Sequence, residues 1–216
     1  MPTKNKYQNK PQVNLWTWVA VLGFIMTLIL LLIFTAPNSN RRLFNSYRDA
    51  AQGLGEPLNT QKFDRHHSFR GINQRQLLRA IDNGELIVVF MGNTNSQQSI
   101  AAIQDVNARF QGARLITSQG VETINAAQLY TDNVINRVRY LEISGEDVEA
   151  LGERINEHLN EDSDEFTSIN VPTLVAFMNG ELVALEVNLT GEVGIRNIRN
   201  FFSDVFDHWN EITNPA

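Results

Sequence analysis

The alternation of apolar and polar positions divides the chain into three stretches. Leu15 to Ala36 (LWTWVAVLGFIMTLILLLIFTA) is a run of 22 positions without a charge. At 1.5 Å per residue it would reach roughly 33 Å as a helix, enough for a bilayer core of about 30 Å. Trp16 and Trp18 stand at one end, where amphipathic rings favour the headgroup level. The alternative is a signal peptide, but the run exceeds the usual apolar region of about 7–15 residues. Pro37 directly after Ala36 also suits a cleavage site poorly. The pattern therefore predicts a single-pass anchor over 15–36 behind a short basic tail, 1–14. Residues 37–65 mix Asn, Ser, Gly, Pro and charge with weak apolar periodicity. They read as a stalk, with a short helix from about Arg41 to Gln52.

The third stretch, 66–212, carries sharper signals. Asn73 followed by Gln76 is a capping-box pattern ahead of Leu77, Leu78 and Ile81, and Gly84 supplies a stop. Glu85 to Met91 is a short apolar run that fits a strand buried on both faces. Ile100, Ile103, Val106 and Phe110 mark one face of a second helix. Ala113 to Thr117 reads as a strand and Ile124 to Tyr130 as helical, within a stretch of no clear period. Arg137 to Ile143 alternates as a strand, and Ser144 caps a helix carrying Val148, Leu151, Ile155 and Leu159. Val171 to Val187 places two β-rich runs around Asn179-Gly180, the dipeptide suited to a type I′ hairpin. Ile198, Phe201, Phe202, Val205, Phe206 and Trp209 form an apolar stripe at helical spacing. Parallel crossovers followed by an antiparallel hairpin give an α/β fold with a mixed sheet flanked by helices.

Composition changes this picture in three ways. Apolar residues at 43% and charged residues at 19% exclude a disordered chain. The formal charge is −6, but residues 37–216 hold 15 basic against 24 acidic groups, a net of −9. A surface that acidic repels phosphate backbones, so no nucleic-acid partner is expected. There is no cysteine, which excludes disulfides, thiolate metal ligands and thiol nucleophiles. Basic residues near the apolar run tie at three on each side: Lys4, Lys6 and Lys10 against Arg41, Arg42 and Arg48. The free amino terminus tips the preference to an internal N-terminus with the domain outside the cell.

The element order, with Val171-Pro172-Thr173 leading into the Asn179-Gly180 hairpin, resembles the thioredoxin family over about residues 66–212. In that family the buried strand ends in a loop bearing Cys-x-x-Cys at the next helix N-terminus, and a cis proline before the hairpin packs beside it. Here the loop reads Gly92-Asn93-Thr94-Asn95-Ser96-Gln97-Gln98-Ser99. Aligned on thioredoxins proper, the cysteine positions fall on Asn95 and Gln98. Aligned on the bacteriocin-transport accessory branch, they fall on Ser96 and Ser99. A segment of about 20 residues, 118–137, is additional to the family pattern.

Thiol–disulfide exchange needs a thiolate, and a serine hydroxyl neither ionises near neutral pH nor forms the mixed disulfide. A hydrolytic serine would need a base, and none of His66, His67, His158 and His208 is placed by sequence near the loop. Asn95 or Ser96 reads as a helix N-cap. His66-His67 reads as a solvated linker pair, and Asn160 to Glu165 as an acidic surface loop without a calcium-binding pattern. No enzyme activity, cofactor or metal is expected. What the resemblance leaves is a groove at Val171, Pro172 and Thr173, where the residue before the proline offers strand-type hydrogen bonds to an extended peptide. The alternative is that Pro172 serves the fold alone. The expected function is a membrane-anchored, redox-inactive binding protein for a peptide or protein at the cell envelope, by family analogy an accessory to peptide export. The rival expectation is an assembly subunit that works through the anchor and the 118–137 segment.

Overall fold

The structure, a computed structural model, describes residues 14–35, 39–111, 135, 137–144, 148–160, 166 and 169–213. Two compact units divide the chain, Met1–Asn38 and Ser39–Ala216. The first contains α1 (Leu15–Thr35), whose described side chains, Leu15 to Leu31, are all exposed. Among the described residues no helix is long and apolar enough to cross a membrane. The span expected over 15–36 is therefore not met by the described residues.

The second unit runs α2 (Ser39–Leu54), β1 (Phe69–Gly71), α3 (Gln74–Asp82), β2 (Ile87–Gly92), α4 (Gln97–Gln111), β3 (Val138–Glu142), α5 (Val148–Asn156), β4 (Thr173–Met178), β5 (Glu181–Glu186) and α6 (Gly191–Thr213). The five strands form one mixed sheet in the order β1-β3-β2-β4-β5. β1, β3 and β2 are parallel, and β4 and β5 run antiparallel to their neighbours. The expected α/β architecture is present.

Strand alternation sorts the core into two layers. Val88 and Phe90 of β2, with Leu174 and Ala176 of β4, face a cluster built with α2, α4 and α6. Ile87, Val89 and Met91, with Val175 and Phe177, face the opposite cluster built with α3 and α5. β2 and β4 are buried along their whole length, which explains why both read as continuous apolar runs.

Local signals set the boundaries. Asn73 accepts from the Gln76 N–H while the Gln76 side chain accepts from the Asn73 N–H, the expected capping box. At the other end Gly84 (φ 67°) donates to Ile81 and Glu85 donates to Ala80, a Schellman closure. Asn179 (φ 55°) and Gly180 (φ 78°) take the positive angles of the hairpin turn. That turn is tied down from two sides. Asn160 donates its N–H to Gly180 O and its Nδ2 to Asn179 O, and the Asn179 N–H donates to Gly84 O.

Three expectations change. Residues 39–65 are no stalk: Phe44, Tyr47, Ala51 and Phe63 are buried in the core beside α4. The single apolar edge of α2 (44, 47, 51) lies among polar residues and so reads as weak periodicity. β1 was not expected, because three residues show no alternation. His67 is buried rather than solvated, stacked on Phe63 at 4.9 Å between ring centroids. Its Nε2–H donates to Asn40 O and its Nδ1 accepts from the Phe69 N–H. The elements expected over 113–117 and 124–130, the 118–137 segment and the acidic run after Asn160 lie outside the described residues, 135 and 137 apart.

Candidate functional site

The site expected from the sequence lies where β2 ends. Gly92 closes that strand over the buried phenol of Tyr47. A Cβ there would come within 2.5 Å of the Phe90 ring and 2.8 Å of Tyr47 Oη, so only glycine passes. Tyr47 Oη donates to Tyr140 Oη at 3.3 Å, and burial raises the pKa of both phenols. The loop thus leaves the sheet over a floor of aromatic rings with one internal pair of neutral hydroxyls.

Asn93 organises the turn from β2 into α4. Its Nδ2 donates to Ile143 O at 2.9 Å, pinning the loop to the end of β3. Its Oδ1 accepts the Asn95 N–H at 2.7 Å, and its carbonyl accepts the Ser96 N–H at 3.1 Å. Its own N–H donates to Ser99 Oγ at 3.2 Å. Ser96 is the N-cap of α4: its Oγ accepts the Ser99 N–H and its carbonyl accepts the Ile100 N–H. Ser99 is fully buried. Asn95 and Gln98 are exposed.

On the other side, β2–β4 pairing places Met91 opposite Thr173. The end of β4 that begins with Val171, Pro172 and Thr173 therefore stands beside the loop. The Val171–Pro172 peptide bond is cis. Pro172 and Thr173 are buried, Val171 is half-buried, and the Thr173 hydroxyl donates to Asn170 O. The ladder runs from Ile87↔Phe177 to Met91↔Thr173, and its next rung of the same parity would pair Asn93 with Val171. That rung is missing, because Asn93 has turned its N–H to Ser99 and its carbonyl to Ser96. Among the described residues neither the N–H nor the C=O of Val171 has a hydrogen-bond partner.

Chemically, the two serine oxygens act here as acceptors that shape the loop. Among the described residues neither hydroxyl has an imidazole as hydrogen-bond partner; His67 is engaged with Asn40 and Phe69, and His158 pairs with Asp82. Burial lowers the pKa of His67, which favours the neutral ring. Among the described residues no group of three His, Asp or Glu side chains is placed to hold a metal ion. Sequence reasoning missed Asn93 as the hub of the loop. Its partner Ile143 lies 50 positions away, so no local pattern announces the bond. No family model matches the chain, and no curated protein matches it.

Proposed function

We propose that this chain is a redox-inactive, thioredoxin-like binding protein that takes an extended peptide or protein segment against Val171. Residues 15–36 hold it to a membrane, with the N-terminus inside and the domain from Ser39 onward outside the cell. By the resemblance, the role is that of an accessory factor in the export of a secreted peptide. The observation that carries the binding role is the vacant rung at Val171. An incoming strand supplies the C=O and N–H that Asn93 withholds, and it extends the β4 ladder by main-chain bonds alone. Such bonds do not depend on the partner's side chains, so the residues that flank the rung set the selectivity. The absence of cysteine keeps this contact non-covalent. The uncharged run of 22 residues supports the anchor.

The test places a photo-crosslinking residue at Asn95, beside the rung, and at the exposed Glu157, three residues before the Asn160 that holds the far hairpin turn, in cells producing the full chain. We expect one partner captured from position 95, absent from position 157, and lost when Val171→Asp is added with the circular dichroism unchanged. Equal capture from both positions, or capture indifferent to Val171→Asp, overturns the groove. Separately, resistance of the chain to alkaline extraction from membranes, lost on deletion of 15–36, tests the anchor.

A further inference from the structure

A second concave surface lies at the other end of β2, and its chemistry is unlike that of the loop. Arg70 of β1 and Arg139 of β3 are register partners on neighbouring parallel strands. Their side chains therefore stand next to each other on one face of the sheet. The register also pairs Arg139 with Val89 of β2, so this is the face covered by α3. From α3, positions 76, 79 and 83 share one side at helical spacing and present Gln76, Arg79 and Asn83 to the same space. Glu85 closes one end, and Gly71, with nothing within 4 Å of where a Cβ would be, leaves the other open. The cleft is open to solvent along one side and measures about 350 Å³, within the range of small-molecule sites.

Three arginines line this cleft on a chain whose charge is −6. Among the described residues Arg70, Arg79 and Arg139 have no ion pair or side-chain hydrogen bond. Like charges directly across a strand pair destabilise a sheet, so the fold itself gains nothing from placing Arg70 opposite Arg139. A bound anion reverses that sign.

We propose that this cleft binds a small phosphate ester. The guanidinium forks of Arg70, Arg79 and Arg139 hold the phosphate oxygens. The Gln76 amide nitrogen, which has no partner among the described residues while its Oε1 accepts from Asn73, is a further donor. Glu85, which already accepts from Asn83 Nδ2 at 3.3 Å, has acceptor capacity left for a hydroxyl or ammonium on the rest of the ligand. The bond from Asn83 also fixes where that carboxylate stands. Burial and the neighbouring charges of Arg70 and Arg137 lower the Arg139 pKa, against which Glu85 acts in the opposite direction. An anion in the cleft relieves both costs. The small volume of the cleft and the acidity of the rest of the domain argue for a small ligand and against a nucleic acid.

Calorimetric titration of the full chain in neutral detergent, with pyrophosphate and glycerol 3-phosphate as probes, tests this. We expect saturable binding that weakens with added salt and falls by about tenfold or more in Arg70→Gln and in Arg139→Gln. Glu85→Gln weakens glycerol 3-phosphate more than pyrophosphate, which has no hydroxyl on carbon to offer. Without ligand, both arginine variants melt at or above the wild-type temperature, because each removes a like-charge contact. A structural role would lower it. Phosphatidylglycerol added to the micelles identifies the source: competition with the soluble probe assigns a lipid headgroup, and its absence assigns a soluble ester. No saturable binding by wild type, or affinity unchanged in both arginine variants, overturns the proposal.

Discussion

The two faces of the sheet are built from different materials. The face toward α2, α4 and α6 is aromatic: Phe44, Tyr47, Phe63, Phe69, Phe90, Phe110, Tyr140, Phe201 and Phe202 are all buried there. Their rings touch in a chain that runs from Phe44 through Phe63 and Phe69 to Phe90 and Tyr140. The face toward α3 and α5 is aliphatic, with only Phe166 and Phe177 in its described core. Polar groups follow the same division. His67, Gln104 and Asn107 are buried on the aromatic side; Gln104 and Asn107 tie the 57–68 segment to α4, through Pro57 and Asn59 and through Lys62 and Ser68, and His67 ties it to α2 through Asn40 O. The aliphatic side has one such stitch among the described residues: Asn156 of α5 donates its Nδ2 to Phe166 O and accepts the Phe166 N–H at its Oδ1, while three arginines line the cleft at its edge. An irregular segment can thus be held as firmly as a helix when large rings and side-chain amides replace the missing backbone ladder.

The sharpest break of this comparison is Phe63→Ala. Phe63 is fully buried and lies against Phe44, Tyr47, His67 and Phe69. We expect a loss of about 3–5 kcal/mol in denaturant unfolding, the cost typical of removing a core ring. A stalk residue would cost almost nothing, so a change below roughly 1 kcal/mol would return residues 39–65 to the role of a tether.

A smaller effect is expected from Asn107→Ala, which unpairs the Ser68 N–H and the Lys62 carbonyl at once. The expected cost is about 2–3 kcal/mol, and amide hydrogen exchange at Ser68 should accelerate while that of β2 does not. Ile155→Val on the opposite face provides the contrast, at about 1 kcal/mol and with no local change in exchange.

The finest distinction is a slope. The buried His67 has a pKa below its ordinary value, set first by burial. The unfolded chain therefore takes up a proton near the ordinary pKa of about 6.5 before the folded chain does. Stability is fully present above that pH and is lost as pH falls toward the folded value. The difference in unfolding free energy between wild type and His67→Gln should accordingly shrink as pH drops from 8 to 5. A difference independent of pH would place His67 in water.

Legibility in the sequence tracks the reach of each interaction. The capping box at Asn73, the stop at Gly84, the buried run of β2 and the Asn179-Gly180 turn all depend on residues within five positions of one another. Each was legible. β1 was not, because its strand character comes only from pairing with Val138 to Tyr140, 69 positions away. Ser96 was readable as a cap, since its acceptor role toward Ser99 spans three positions. The vacant rung at Val171 was only half legible: the residue stood out, but its vacancy depends on how Asn93 turns. The arginine cleft had no signature at all, since Arg70, Arg79 and Arg139 are ordinary surface residues until the register brings them together.

The hairpin tip at Asn179-Gly180 bears on how this domain would tolerate being lengthened. Hairpin tips are ordinarily where a tag, a reporter or a new terminus is inserted with least harm. Here the tip holds the carbonyls that Asn160 grips and the N–H that reaches Gly84. A side chain on Gly180 would meet the Asn160 amide at about 3.0 Å. The turn is a junction of three separate stretches of chain, and an insertion there would part all three.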